Sequence, residues 1–203
     1  MRLIGYWRST AAWRVRIGLN LKGVAVEHAF RHLRHGEQRA EDYVALNPQG
    51  LVPALVLDDG AVLTQSLAIL EWLEETRPEP PLLPRDPVAR ARVRAFALAI
   101  AADTHPVQNL RVLQRLPEAE RQGWAREVIA EGLAACERLV EPGPFCFGAA
   151  PGLADLCLVP QLYNARRFGV ELGPYPRLLA VEAASAAWPA FAAARPEAQP
   201  DAE

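Results

Sequence analysis

The chain has 203 residues and a formal net charge of −2, long enough to bury a core in one or two domains and without the basic excess that a nucleic-acid partner would favour. Met1 leads directly into a strand-like stretch and no apolar run approaches roughly 18 residues, so neither a signal peptide nor a membrane span is expected and the composition fits a cytoplasmic enzyme. Cys136, Cys146 and Cys157 form an odd set without a CxxC motif, which argues against a disulfide framework or a metal site and for reduced residues packed in helices. Of the 22 basic residues only Lys22 is a lysine, and alanine is abundant, so an arginine is weak evidence here unless its position singles it out.

Arg2 to Trp7 is short, apolar and bounded, as a buried strand is, and Val15, Ile17, Leu19 and Leu21 fall in a helical run behind it. Between them lie Arg8, Ser9 and Thr10. Ser9 is placed as the N-cap of that helix, where unpaired N–H groups and the helix dipole favour an anion. Two readings stay open at this point: a serine that only caps its own helix, and hydroxyls that also receive a thiolate, phosphate or carboxylate.

Asn47 to Leu55 reads NPQGLVPAL, with Val52-Pro53 between a glycine turn and the apolar run Ala54 to Leu57. A proline entering a strand removes a donor and can adopt the cis form, leaving the backbone of the preceding residue turned outward to pair with another peptide. Asp58-Asp59-Gly60 predicts a hairpin turn. Gln65-Ser66 then opens the helix LAILEWLEE, a second polar pair at a helix N-terminus and one suited to a ligand carboxylate.

Arg77 to Pro87 holds five prolines among its eleven residues and reads as an extended linker. Helical patterns follow over Val88 to Leu116, interrupted near Pro106, and over Glu118 to Val140. The remainder is helical with breaks at Pro142 to Pro151 and Gly173 to Pro176.

In order and in register, STAAWRVRIGL, NPQGLVPAL and QSLAILEWLEE resemble the glutathione-binding half of a glutathione transferase, most closely the zeta class. The likeness continues through LLPRDPVARARVRA, HPVQNLRVL, ADLCLVPQLYNARRFGVEL and ARPEAQPD, nearly the whole chain. The zeta pattern usually has a cysteine third in its hydroxyl run, where this chain has Ala11. A Cys-less bacterial subgroup, the glutathione-dependent maleylpyruvate isomerases, shares the WRS opening and a run matching Asp103, His105, Pro106, Asn109 and Arg111. The chain leans toward that subgroup.

The resemblance implies an α/β thioredoxin-like domain over residues 1–76 with element order β-α-β-α-β-β-α, a linker over 77–87 and an all-helical domain over 88–203. It implies glutathione as cofactor and a homodimer. Ser9 and Thr10 would partner the sulfur with Arg8 beside them, and Val52 would pair with the cysteinyl unit. Gln65 and Ser66 would hold the γ-glutamyl carboxylate, and Gln38 and Gln49 would line the glycyl end. Asp103, His105 and Asn109 would reach glutathione from the helical domain. Arg8, Arg111 and Arg167 are the candidates for a dicarboxylate substrate, since the guanidinium fork matches a carboxylate. His28, His32 and His35 receive no role. Gly152 stands where many relatives carry Ser or Thr, so Asp155 is expected to cap its helix through backbone groups alone, at some cost in local stability.

The implied chemistry is cis-trans isomerisation of maleylpyruvate or maleylacetoacetate. A free thiol with a pKa near 8.5 is only about 3% thiolate at pH 7, and a fall of roughly two units makes the anion dominant. Its reversible addition to the enone frees rotation about the former double bond. A general glutathione transferase or dehalogenase is the alternative, and a transferase fold kept only as a binding module is a third. The intact set Ser9, Val52, Gln65 and Ser66 argues against the module, and the three arginines favour a small dianion.

Overall fold

The computed structural model describes residues 1–203, which divide into two compact units, Met1–Pro80 with Trp188–Glu203, and Pro81–Ala187. In the first unit β1 (Arg2–Gly5) is flanked by β2 (Glu27–Phe30) on one side and β3 (Ala54–Val56) on the other, with β4 (Val62–Thr64) beyond β3. β1 and β2 run parallel, whereas β3 is antiparallel to both β1 and β4. A parallel pair needs a crossover, and α1 (Thr10–Leu21) supplies it. α2 (Glu41–Leu46) and α3 (Ser66–Thr76) complete the expected β-α-β-α-β-β-α order. The hairpin between β3 and β4 turns where Asp58-Asp59-Gly60 predicts, with Gly60 at φ +87° and the Asp59 carboxylate accepting from Ala61 N–H at 2.9 Å.

Every residue of α1 from Ala12 to Leu19 is buried, because α3 and α9 (Pro189–Ala194) both pack on it. A helix covered all round must still satisfy its polar side chains. Arg16 donates from Nε to the Ala194 carbonyl at 3.1 Å and from Nη2 to the Trp7 carbonyl at 2.9 Å. Burial pulls this guanidinium down to about 10, with Asp201 opposing the fall, so it stays charged at neutral pH. Lys22 directs its ammonium to Glu74 at 2.7 Å and to the Pro80 carbonyl at 2.6 Å. The one lysine of the chain is thus a buried ion pair rather than a surface charge.

Trp188–Glu203 belongs with residues 1–80 rather than with the helices before it, because its carbonyls and carboxylates take up polar groups of the first unit. Besides the Arg16 bond, Asp201 Oδ2 accepts from Trp7 N–H at 2.8 Å, and the Glu203 carboxylate meets His32 Nε2. Removing the acceptor of Trp7 by Asp201→Ala should cost about 1.5–3 kcal/mol, the scale for a hydrogen bond to a charged group. Urea denaturation measures it, and Asp201→Asn, which keeps an acceptor, should lose less.

The proline-rich stretch carries no helix or strand before Pro87, and part of it is buried. Leu82 and Leu83 are each 3% exposed, and the Leu82 carbonyl accepts from Leu153 N–H at 2.8 Å within the second unit. That unit runs α4 (Pro87–Leu98), α5 (Leu110–Leu113), α6 (Glu118–Leu139), α7 (Leu153–Arg167) and α8 (Pro176–Ala186). α7 is buried on nearly all faces, as the central helix of a bundle.

At its N-terminus Gly152 and Cys146 donate their N–H groups to the two oxygens of Asp155, each at 2.8 Å, as the sequence predicts for a cap built on backbone alone. The glycine has its own reason: a Cβ there would lie 2.8 Å from the Leu82 carbonyl oxygen. What reads as a missing cap is room for the chain crossing beside it.

Between α4 and α5 the residues Ala99–Thr104 widen into a π-helix, a form often found next to functional sites. Thr104 Oγ1 donates to the Ala99 carbonyl at 2.8 Å, and Gly132 of α6 lies against the same side chain. An alanine at 132 would put a methyl 2.9 Å from Thr104 Cγ2. Helix propensity favours Gly132→Ala by about 1 kcal/mol. Overpacking opposes it by roughly 1–3 kcal/mol. Since Thr104 cannot swing aside without giving up its bond to Ala99, the substitution should lower the denaturation midpoint, and Thr104→Ala in the same chain should restore part of it.

Candidate active site

Ser9 is the N-cap of α1, accepting from Ala12 N–H at 3.2 Å through Oγ and from Trp13 N–H at 2.9 Å through its carbonyl. A hydroxyl that accepts keeps its own proton to donate. Capping and anion binding are therefore compatible in one side chain, and the two readings of this serine do not exclude each other. Thr10 is only 5% exposed, so of the hydroxyl pair Ser9 is the more accessible. Arg8 lies with its guanidinium 5.0 Å over the Trp7 ring, an indole that is itself buried.

The Val52-Pro53 peptide is cis, and Val52 stands outside β3 with neither its N–H nor its C=O spent in the turn. What holds it is the carbonyl before it: Leu51 accepts from Tyr43 Oη at 2.6 Å and from Asn47 Nδ2 at 2.7 Å. Asn47 also receives Gln49 N–H on Oδ1 at 3.2 Å. Tyr43 and Asn47 thus hold the turn before Val52, a part that the sequence alone did not assign to them. The NP at the start of the motif was the available signal.

Gln65, the N-cap of α3, sits at φ +69° and is the one residue other than glycine with a positive φ. Such a conformation costs on the order of 1–3 kcal/mol and persists at ligand clamps where surrounding structure imposes it. Its Nε2 donates to Gln49 Oε1 at 2.8 Å, and below it Ser66 Oγ accepts from Arg14 Nη1 at 3.4 Å. Arg14, 1% exposed, places a buried cation under the start of α3, a second support not foreseen. Gln38 joins the group from the other side, its carbonyl 3.0 Å from where a Cβ on Gly50 would stand. Its side-chain Oε1 is buried without a hydrogen-bond partner. Gln38, Gln49, Val52, Gln65 and Ser66 thus converge on one turn and one helix start.

In the second unit Asp103 is exposed within the π-helix, and His105 is half-buried with Nε2 3.4 Å from Asn109 Nδ2. Asn109 caps α5 and accepts from Arg111 N–H at 3.3 Å, leaving the Arg111 side chain exposed. Arg167, the last residue of α7, is also exposed, but its Nη1 donates to Asn164 Oδ1 at 2.9 Å and its guanidinium lies 5.7 Å over the Phe168 ring.

None of the protein thiols suits nucleophilic chemistry. Burial pushes Cys136 up to about 12, and it pushes Cys146 well above the ordinary range, with the Asp155 carboxylate adding to the rise. Cys157 is fully buried. Cys136 and Cys157 lie in helices as expected, whereas Cys146 lies in the turn before α7.

Residues 8–76 match the N-terminal domain of glutathione S-transferases, and residues 71–193 match their C-terminal domain. The chain belongs to the glutathione S-transferase family. Within that family the zeta class is its place. Maleylacetoacetate isomerase of Pseudomonas aeruginosa is 48% identical over 99% of this chain and 98% of its own length. The holo structure of a maleyl pyruvate isomerase, a bacterial zeta-class glutathione transferase, superposes with a TM-score of 0.96 at 46% identity over the full length of both chains. Maleylacetoacetate isomerase from Anaeromyxobacter dehalogenans, solved with glutathione in its active site, gives a TM-score of 0.91 at 52% identity, covering 100% of this chain and 97% of that one. This glutathione transferase carries the fold expected of it, an α/β thioredoxin-like part and an all-helical part, and no helix in it is long and apolar enough to cross a membrane.

Proposed function

We propose that this glutathione transferase is a glutathione-dependent cis-trans isomerase of a maleyl dicarboxylate, maleylpyruvate or maleylacetoacetate, working by reversible thiolate addition to the enone. The observation that carries the reading is the Ser9 junction: an accessible hydroxyl with its proton unspent at a helix N-terminus, Ala11 beside it, and every protein thiol buried. The residues present fit glutathione. Gln38 has a buried oxygen in want of a donor, Val52 has a peptide unit free to pair, and Gln65 is held in a clamp conformation above Arg14 and Ser66.

Glutathione when bound supplies the thiol whose anion adds to a double bond conjugated with a carbonyl. Ser9 donates a hydrogen bond toward the sulfur, and the first turn of α1 adds the partial positive charge of its N-terminus. Val52 orients the cysteinyl peptide. Gln65 and Ser66 take the γ-glutamyl carboxylate with Arg14 behind them, and Gln38 and Gln49 take the glycyl end. Asp103, His105 and Asn109 add contacts from the helical unit. Arg111 and Arg167 bind the substrate carboxylates, and Arg8 stabilises negative charge as it develops on the substrate oxygen. Thr10 supports the turn beside Ser9. A homodimer in the cytoplasm belongs to the same reading, which the uncombined cysteines fit.

Incubating the protein with maleylpyruvate and with maleylacetoacetate, each with and without glutathione, tests it. Fumaryl product that appears only with glutathione, while the glutathione concentration stays constant, is the expected result. Accumulation of a stable conjugate with no fumaryl product would replace the isomerase with a conjugating transferase.

A further inference from the structure

Three amide side chains lie in the core of the helical unit: Gln108 at 2% exposure, Gln161 at 0% and Asn164 at 6%. Buried amides need partners, and these are joined to one another. Asn164 Nδ2 donates to Gln108 Oε1 at 2.7 Å, and Gln108 Nε2 points to Gln161 Oε1 at 3.4 Å. At the other end Asn164 Oδ1 accepts from Arg167. The direction of the chain is forced. A guanidinium can only donate, so Asn164 must turn its oxygen to Arg167 and its NH2 to Gln108, which in turn must offer its oxygen. Each bond polarises the next in the same sense.

The chain also spans two separate pieces of the unit. Gln161 and Asn164 belong to α7, whereas Gln108 lies in the segment between the π-helix and α5, three residues before Arg111. That segment is short of regular structure, and Trp124 Nε1 donates to the Val107 carbonyl at 3.1 Å and Gln108 N–H to the Thr104 carbonyl at 3.3 Å. The amides link it directly to the helix that ends in Arg167.

We propose that Gln108 and Asn164 are positioning residues that set the separation between Arg111 and Arg167, and so determine which length of dicarboxylate this protein accepts. The proposal rests on the reading that these two arginines bind the substrate carboxylates. Without the amides Arg167 loses the acceptor that sets the direction of its fork, and the segment leading to Arg111 loses its tie to α7. With them Arg167 is pre-set by Asn164, and Arg111 is carried on the short helix α5, whose entry segment is pinned to the same point. A rigid pair of cations discriminates among dianions of different span, whereas a loose pair does not.

The test uses saturated dicarboxylates of increasing chain length, malonate to adipate, as competitive inhibitors of the isomerase reaction. The native protein should show a sharp optimum in Ki. Asn164→Leu should flatten it, weakening the preferred diacid about tenfold while the KM for glutathione stays within about twofold. Asn164→Asp still accepts from Arg167 and can receive the turned-over amide of Gln108, so it should recover a length preference relative to Asn164→Leu. If the leucine variant does not fold, Gln108→Met, which leaves the Asn164 to Arg167 bond in place, carries the same expectation. A length profile unchanged in Asn164→Leu or Gln108→Met overturns the proposal. If Arg111→Ala and Arg167→Ala also leave diacid inhibition unchanged, it is the assignment of the arginines that fails rather than the spacing between them.

Discussion

Arg111→Ala and Arg167→Ala should each reduce kcat/KM for the maleyl substrate by about 30-fold or more, the equivalent of about 2 kcal/mol for truncating one member of a desolvated charge pair. Arg111 is exposed and its side chain serves no buried group, so Arg111→Ala should leave the unfolding midpoint close to that of the native chain, whereas Arg167→Ala takes the donor from the buried Asn164 oxygen and should cost about 1–3 kcal/mol of stability. The two need not be equal. Arg167 is held by Asn164 and Phe168 before substrate arrives, whereas Arg111 is fixed only through its backbone. Less ordering on binding leaves more of the interaction to appear as affinity, so Arg167→Ala should show the larger rise in KM. Steady-state kinetics with the diacid varied at saturating glutathione measures this. Unchanged constants in both variants would remove the dicarboxylate argument.

Ser9→Ala should lose rate while glutathione still binds. Withdrawing a donor from the sulfur lets the thiol return toward its unperturbed pKa near 8.5, and the thiolate fraction at pH 7 drops to about 3%. The rate of the variant should therefore climb as pH rises from 7 to 9, where that of the native protein has already levelled off. The same substitution removes the α1 cap, worth about 1 kcal/mol, so stability falls too. Ser9→Gly separates the effects, because glycine retains most of the capping preference without the hydroxyl. An active Ser9→Gly protein at pH 7 would move thiolate stabilisation to Thr10, to the N–H groups of α1 or to Arg8.

The π-helix over Ala99–Thr104 could not be read from the sequence, since AIAADT carries no pattern that distinguishes an i+5 ladder from an i+4 one. Its wider turn comes from contacts made elsewhere, among them Thr104 against Gly132. Gly152 divides in the same way: the backbone-only cap on Asp155 follows from the residues around it, whereas the need for glycine there is decided by a carbonyl seventy residues earlier in the chain. Arg14 and Arg16 are internal only because α3 and α9 both pack on the helix that carries them, and nothing in the neighbouring residues marks an arginine as buried.

The amino-acid sequence by itself determined what depends on neighbours in the chain. The first strand and the helix behind it, the cap at Ser9, the hairpin at Gly60 and the turn before Val52 all follow from local propensity and spacing. It also determined the absence of a thiol at Ala11. The tertiary structure alone decided what depends on distant segments meeting. The C-terminal stretch joins the first unit because Arg16 and the Trp7 N–H require acceptors that Ala194 and Asp201 provide. Gln65 takes its positive φ where its side chain reaches Gln49 and the next residue, Ser66, meets the buried Arg14. Arg167 differs from the arginine beside it because a buried amide chain that passes through another segment ends on its guanidinium, whereas Arg166 turns outward to Glu182. Hydrogen-bond demand in a closed interior is a property of the folded whole, and no window of sequence contains it.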